Sequence, residues 1–108
     1  MRKIEVCSTS LNDAREAEAG GAIRIELCSA ITCGGVTPSY GTIRCVADAG
    51  LNLDINVLIR AREGGFHYTA SEIDTMCKDI EFCREAGADG VVIGALTADG
   101  DIDMEVLI

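Results

Sequence analysis

Three observations predict an α/β fold made of parallel (β/α) units of a TIM barrel, here about half a barrel. Short apolar strands alternate with capped helices along the whole chain. A single short helical connection between strands this apolar implies parallel strands with right-handed crossovers. Charged residues recur on one parity of successive strands, and the other parity is apolar. The 108 residues make one domain, 1–108.

The elements follow in order. Lys3-Ile4-Glu5-Val6-Cys7 alternates with period two and reads as a strand. Ser10 offers an N-cap, with Asp13 three residues on as a partial capping box, for a helix from Leu11 to Ala19 that stops at Gly20-Gly21. Ile23 to Cys28 is a second strand. A loop with Gly34-Gly35 leads to Thr37-Pro38, where Thr caps and Pro takes the first position of a helix ending at Gly50. Asp54 to Arg60 is a third strand and Arg62 to Tyr68 a loop. Thr69 and Glu72 form the next capping box, and Ile73, Met76, Cys77, Ile80 and Cys83 share one helical face before Gly87. Val91-Val92-Ile93 is a fourth, apolar strand, and a turn at Asp99-Gly100 opens a fourth helix. Ala-Gly pairs at 19–20, 49–50 and 86–87 mark a weak repeat of the βα unit.

This order suits an open doubly wound sheet or an arc of a (β/α)8 barrel. Strand polarity decides between them. Ile4/Val6, Ile23/Ile25/Leu27 and Ile55/Val57/Ile59 form one apolar face, and Glu5/Cys7, Arg24/Glu26/Cys28 and Asn56/Leu58/Arg60 the opposite one. A sheet covered on both faces has nearly all-apolar strands. A repeated polar row fits the interior of a barrel, where charges pair or line a site. No GxGxxG follows the first strand, so no nucleotide cofactor is expected.

Composition narrows the function. Hydrophobic residues are 48% and charged residues 25%, enough to bury a core. Nine basic against eighteen acidic side chains give a net charge of −9, which argues against nucleic acid and anionic membranes as partners. No apolar run approaches the roughly 20 residues of a membrane span, and no signal-peptide pattern opens the chain. A soluble, cytoplasmic protein is expected. Its six cysteines lie in regular elements, apart from Cys33 in a loop, and read as reduced thiols. With no CxxC and one histidine, structural zinc has little support.

Glu5-Val6-Cys7, the run from Gly21 to Ser29, Gly34-Gly35-Val36-Thr37-Pro38-Ser39, Ile59-Arg60-Ala61-Arg62 and Gly87-Ala88-Asp89-Gly90-Val91-Val92 together resemble the CutC copper homeostasis family, across the whole chain and in order. The resemblance implies a TIM barrel of which this chain covers the first half. It also implies a cytosolic protein associated with copper tolerance, binding Cu(I), and commonly oligomeric. Cys33 stands where that pattern has Glu, and Ala61 where it has Pro.

Two constellations carry candidate chemistry. Cys7 and Cys28 end neighbouring strands, about 4.8 Å apart, on the inward parity. Soft thiolates select Cu(I), two suffice for a linear or bent site, and the resemblance places its copper proposal on these two positions. Cys33 is a possible third sulfur. The bland alternative is a pair of buried thiols acting as small hydrophobes, and Cys45, Cys77 and Cys83 are expected to pack the helix core.

The other constellation is an anion site. Gly34-Gly35 leads into a helix N-terminus at Thr37, and Arg60 and Arg62 reach the same rim. Glu5, Glu26 and Arg60 are then the catalytic candidates of a TIM-barrel enzyme acting on a phosphate- or carboxylate-bearing metabolite. No reaction is assigned. Lone His67 lies in the loop after the third strand, and an exposed loop residue is its simplest reading.

A (β/α)8 barrel needs about 200 residues or more. The first strand and Val91-Val92-Ile93 are therefore expected to be open edges. The chain then reads as either part of a longer protein that lacks its C-terminal half here, or an assembly of two copies.

Overall fold

The computed structural model describes residues 2–107. Four strands, β1 (Glu5–Ser8), β2 (Arg24–Leu27), β3 (Asp54–Ile59) and β4 (Gly90–Ile93), alternate with helices α1 (Leu11–Ala19), α2 (Tyr40–Asp48), α3 (Ala70–Ala86) and α4 (Met104–Leu107). All strand pairs are parallel, in the spatial order β1-β2-β3-β4. Ile25, Leu27, Ile55, Val57 and Ile59 join Ala14 and Ala17 of α1, Ile43 and Val46 of α2, and Met76, Cys83 and Ala86 of α3 in one buried cluster. The helices therefore cover the apolar face, and Glu5, Cys7, Arg24, Glu26, Asn56 and Leu58 lie on the other. Sequential order with helices on one side is the arc of a (β/α)8 barrel; a doubly wound sheet reverses its order and is covered on both faces. The expected half barrel is what forms.

The helix signals act locally. Ser10 caps α1, its Oγ accepting from the Asp13 N–H at 3.1 Å. The Asp13 carboxylate closes on Thr9 rather than on Ser10, accepting from its N–H at 3.0 Å and its hydroxyl at 2.8 Å. Those two bonds hold its pKa below the ordinary value. Thr69 and Glu72 form the complete capping box of α3, and Gly87 ends that helix with left-handed backbone.

The start of α2 differs from expectation. Ser39, not Thr37, is the cap, accepting from the Thr42 N–H at 3.1 Å, and the helix begins at Tyr40. Thr37 is engaged elsewhere: its N–H donates to the Arg60 carbonyl at 3.1 Å, and its Oγ1 accepts from the Arg60 N–H at 2.9 Å. It pins the entry to α2 against the end of β3.

Two cysteine expectations are corrected as well. Cys83 is buried in the core, but Cys45 and Cys77 are exposed. Successive helix positions turn by about 100°. Cys45 is thereby rotated off the arc of Ile43 and Val46, and Cys77 off that of Met76 and Cys83.

On the inner face, the register sets Asn56 opposite Gly90. A Cβ at position 90 would stand 2.6 Å from Asn56 Oδ1, so any side chain there would force Asn56 to move.

Candidate functional site

The strands' carboxyl ends carry most of the candidate residues. Cys7 lies level with Glu26 across the β1–β2 pair, and both are level with Asn56 on β3. Cys28 follows β2 directly, its N–H donating to the Ser8 carbonyl at 3.0 Å. Cys7 is exposed and Cys28 is buried. Burial pushes the Cys28 thiol above its ordinary pKa, and the nearby Cys7 and Glu26 charges push it the same way. A soft cation bound here would have to displace the Cys28 proton.

Cys33 does not complete a three-sulfur site. It ends a 3₁₀ turn (Ile31–Cys33), and its thiol donates to the Ala30 carbonyl at 3.1 Å. Among the described residues, no three His, Cys, Asp or Glu side chains gather in a way that could hold a metal ion.

The segment 29–36 is a closed loop. Ser29 and Val36 exchange both backbone hydrogen bonds at 2.9 Å. Between them, Ala30, Gly34 and Gly35 all have positive φ (51°, 92° and 93°). Gly35 lies directly on the inner face. A Cβ there would stand 2.9 Å from Leu58 Cδ2 and 3.8 Å from Cys28 Sγ.

Arg60, immediately after β3, holds this loop. Its Nη1 donates to the carbonyls of Cys33 (3.1 Å) and Gly35 (2.7 Å), and its Nη2 to that of Gly64 (2.8 Å). The guanidinium lies 5.2 Å from the centre of the Phe66 ring. Arg60 is 8% exposed, and its buried Nε–H has no partner. The cation is thus surrounded by carbonyl dipoles, with no carboxylate among its hydrogen-bond partners.

Arg62 is spent differently. Its Nε donates to Glu72 at 2.8 Å, its Nη1 to the Gly65 carbonyl and its Nη2 to the His67 carbonyl at 2.9 Å. The Tyr68 ring lies 4.7 Å beneath it. The carboxylate of Glu72 also accepts from the Thr69 N–H, and this bond and Arg62 hold its pKa down. Arg62 thereby joins the β3–α3 loop to the first turn of α3.

Of the remaining candidates, Glu5 pairs with Arg24 at 2.5 Å, at the amino-end of the sheet and away from the rim. Glu26 is half-buried beside Cys7. His67 is exposed, as its simplest reading had it, and its Nδ1 lies 3.1 Å from the Leu96 carbonyl. The structure therefore places Cys7, Glu26 and Cys28 along one stretch of the inner face without gathering them as a three-ligand group, and sets Gly34, Gly35, Thr37 and Arg60 beside it, with Gly35 against Cys28.

Phe66 and Leu58 were not singled out from the sequence. The aromatic residue just after Gly64-Gly65 is a readable sign of a ring resting on a loop arginine. Nothing in the sequence marks Leu58 as the floor beneath Gly35. Two open hollows lie along the sheet's free edges. One reaches Cys7 and is lined also by Ile4, Val6 and Glu16, the other by Ile80, Arg84, Asp89 and Val91. No helix of the described residues is long and apolar enough to cross a membrane.

Comparison with known proteins agrees with this architecture. The profile of the CutC family matches residues 2–108. A CutC family protein of Parabacteroides distasonis is 51% identical over 106 residues, covering 98% of this chain and 44% of the relative. Its counterpart in Bacteroides thetaiotaomicron is 50% identical over 105 residues, covering 97% and 42%. A crystal structure of CutC from Streptococcus agalactiae, provisionally named a copper homeostasis protein, superimposes with a TM-score of 0.93 at 34% identity. It is matched over 99% of this chain and 52% of its own length. The chain thus spans less than half the length of these two relatives and about half of the solved barrel. Over that span, the four parallel βα units, the polar inner face and the sequence itself place this chain in the CutC family.

Proposed function

We propose that this chain serves copper homeostasis in the cytoplasm and takes Cu(I) as cargo between the thiols of Cys7 and Cys28. The observation that carries this reading is their placement. Cys7 lies on the inner face of β1 and Cys28 just past the end of the adjacent β2, two residues beyond Glu26, the partner of Cys7, with one thiol open to solvent and the other buried beneath Gly35. Two soft sulfur donors suit a monovalent soft ion and discriminate against harder divalent ones. The name carried by the Streptococcus agalactiae structure supports the same reading. Anaerobic Cu(I) titration against a competing chelator tests it. The Cys7→Ser/Cys28→Ser double variant is expected to lose the site, and equal affinity in wild type and variant removes these thiols from the reading.

A second reading is favoured by Arg60. A nine-tenths buried guanidinium with only carbonyl partners and a free Nε–H leaves positive charge at the rim uncompensated, which suits a phosphate or carboxylate. In this reading the barrel is an enzyme for a small anionic metabolite, with Glu26 near the rim as its acid–base group. Stabilisation by an anion in a thermal-shift screen of phosphorylated and carboxylated metabolites supports it. A flat screen leaves copper as the sole reading.

A further inference from the structure

We infer that Arg60 is a positioning residue that latches the 29–36 loop as a lid over the Cys28 thiol. The floor and the lid meet at Gly35. Its Cα stands so close to the inner face that even a methyl group would press on Leu58 at 2.9 Å and touch Cys28 Cβ and Sγ at 3.6 and 3.8 Å. The lid closes on itself through the Ser29–Val36 pair and can swing as a unit about those two residues. Its backbone is not relaxed, since Ala30 has φ of 51°, a region that alanine seldom occupies.

The hold on the lid comes almost entirely from one side chain. Arg60 Nη1 binds the Cys33 and Gly35 carbonyls inside the lid, and Nη2 binds Gly64 on the neighbouring loop, so one guanidinium fastens both. A Cβ on Gly34 would lie 3.2 Å from Nη1, which shows how closely the lid wraps the guanidinium. A side chain just past the end of the next strand thus controls access to the Cys28 thiol. The inference does not depend on which ligand the rim takes.

Alkylation of individual cysteines by iodoacetamide, followed by tandem mass spectrometry, tests this in the full chain. The reaction forms an S–C bond, releases iodide and gives the thiol proton to solvent. Cys83 is an internal control, because it is also buried but lies in the helix core, and burial raises both thiols. In wild type both should react slowly, whereas exposed Cys7, Cys45 and Cys77 react fast. Arg60→Lys keeps the charge but cannot span three carbonyls, and Gly35→Ala pushes the lid off its floor. Each is expected to speed Cys28 alone by about tenfold or more, the effect of losing one or two charge-assisted bonds. An unchanged Cys28 rate in both variants overturns the latch. Equal acceleration of Cys28 and Cys83 also overturns it, because that is global unfolding and not a lid.

Discussion

The centre of the sheet and its β4 edge have the same local pattern and different fates. On β2 and β3, Ile25, Val57 and Ile59 are buried in the core shared with the helices. On β4, Val91 and Ile93 hold the equivalent parity but remain 36% and 37% exposed. Their side chains are as apolar as those at the centre. What differs is the neighbourhood: a central strand has a strand and a helix on both flanks, whereas β4 has them on one. Burial in a βα array is therefore a property of position in the array, and the alternating pattern sets only which face seeks cover.

Substitutions that probe this contrast have graded outcomes. Ile25→Ala should cost about 2–5 kcal/mol in a urea melt, since a fully buried isoleucine leaves a cavity. Ile93→Ala should cost less than about 1 kcal/mol under the same conditions. If the two costs match, Ile93 is covered in solution and the contrast fails.

Association across the free edges is the next largest effect. An uncharged edge strand invites pairing with another chain, so light scattering over a concentration series should show self-association. Val92→Lys should weaken it by placing a charge on the new strand pair. A monomer at micromolar concentration with cooperative unfolding contradicts the expectation, and a dimer indifferent to Val92→Lys meets through helices instead.

The smallest effect belongs to the tied-down loop beside α3. Glu72 has a folded pKa below its unfolded value, because it accepts from the Thr69 N–H and pairs with Arg62. Its contribution is present above the unfolded pKa and disappears as pH falls through the folded one. Glu72→Gln should therefore be less stable than wild type at neutral pH and converge with it in acid, once pH has fallen below the lowered folded pKa. Urea melts at both pH values decide this, and a gap that persists in acid contradicts it.

The sequence spoke most clearly where a signal was local. Ser10, Thr69, Glu72 and Gly87 act on backbone within four residues, so the ends of α1 and α3 could be read directly. The parity of β1 to β3 was readable for the same reason. Thr37 was misread because its hydroxyl is claimed by Arg60, 23 residues away. Cys45 and Cys77 were misplaced because apolar character alone does not say which arc of a helix meets the sheet. The site divides in the same way. That Cys7 and Cys28 lie at the ends of adjacent strands follows from strand order, but the wrapping of Arg60 by three carbonyls depends on loop backbone that no side-chain pattern encodes.

The strictly sequential strand order has a kinetic corollary. Glu5 meets Arg24 across 19 positions, and among the described residues each strand pairs only with its neighbours in chain order. Parallel sheets usually fold slowly because distant segments must find each other before any contact is rewarded. Here each βα unit extends an edge already formed. Over these four strands, a chain emerging from the ribosome can therefore dock each unit in turn onto the last.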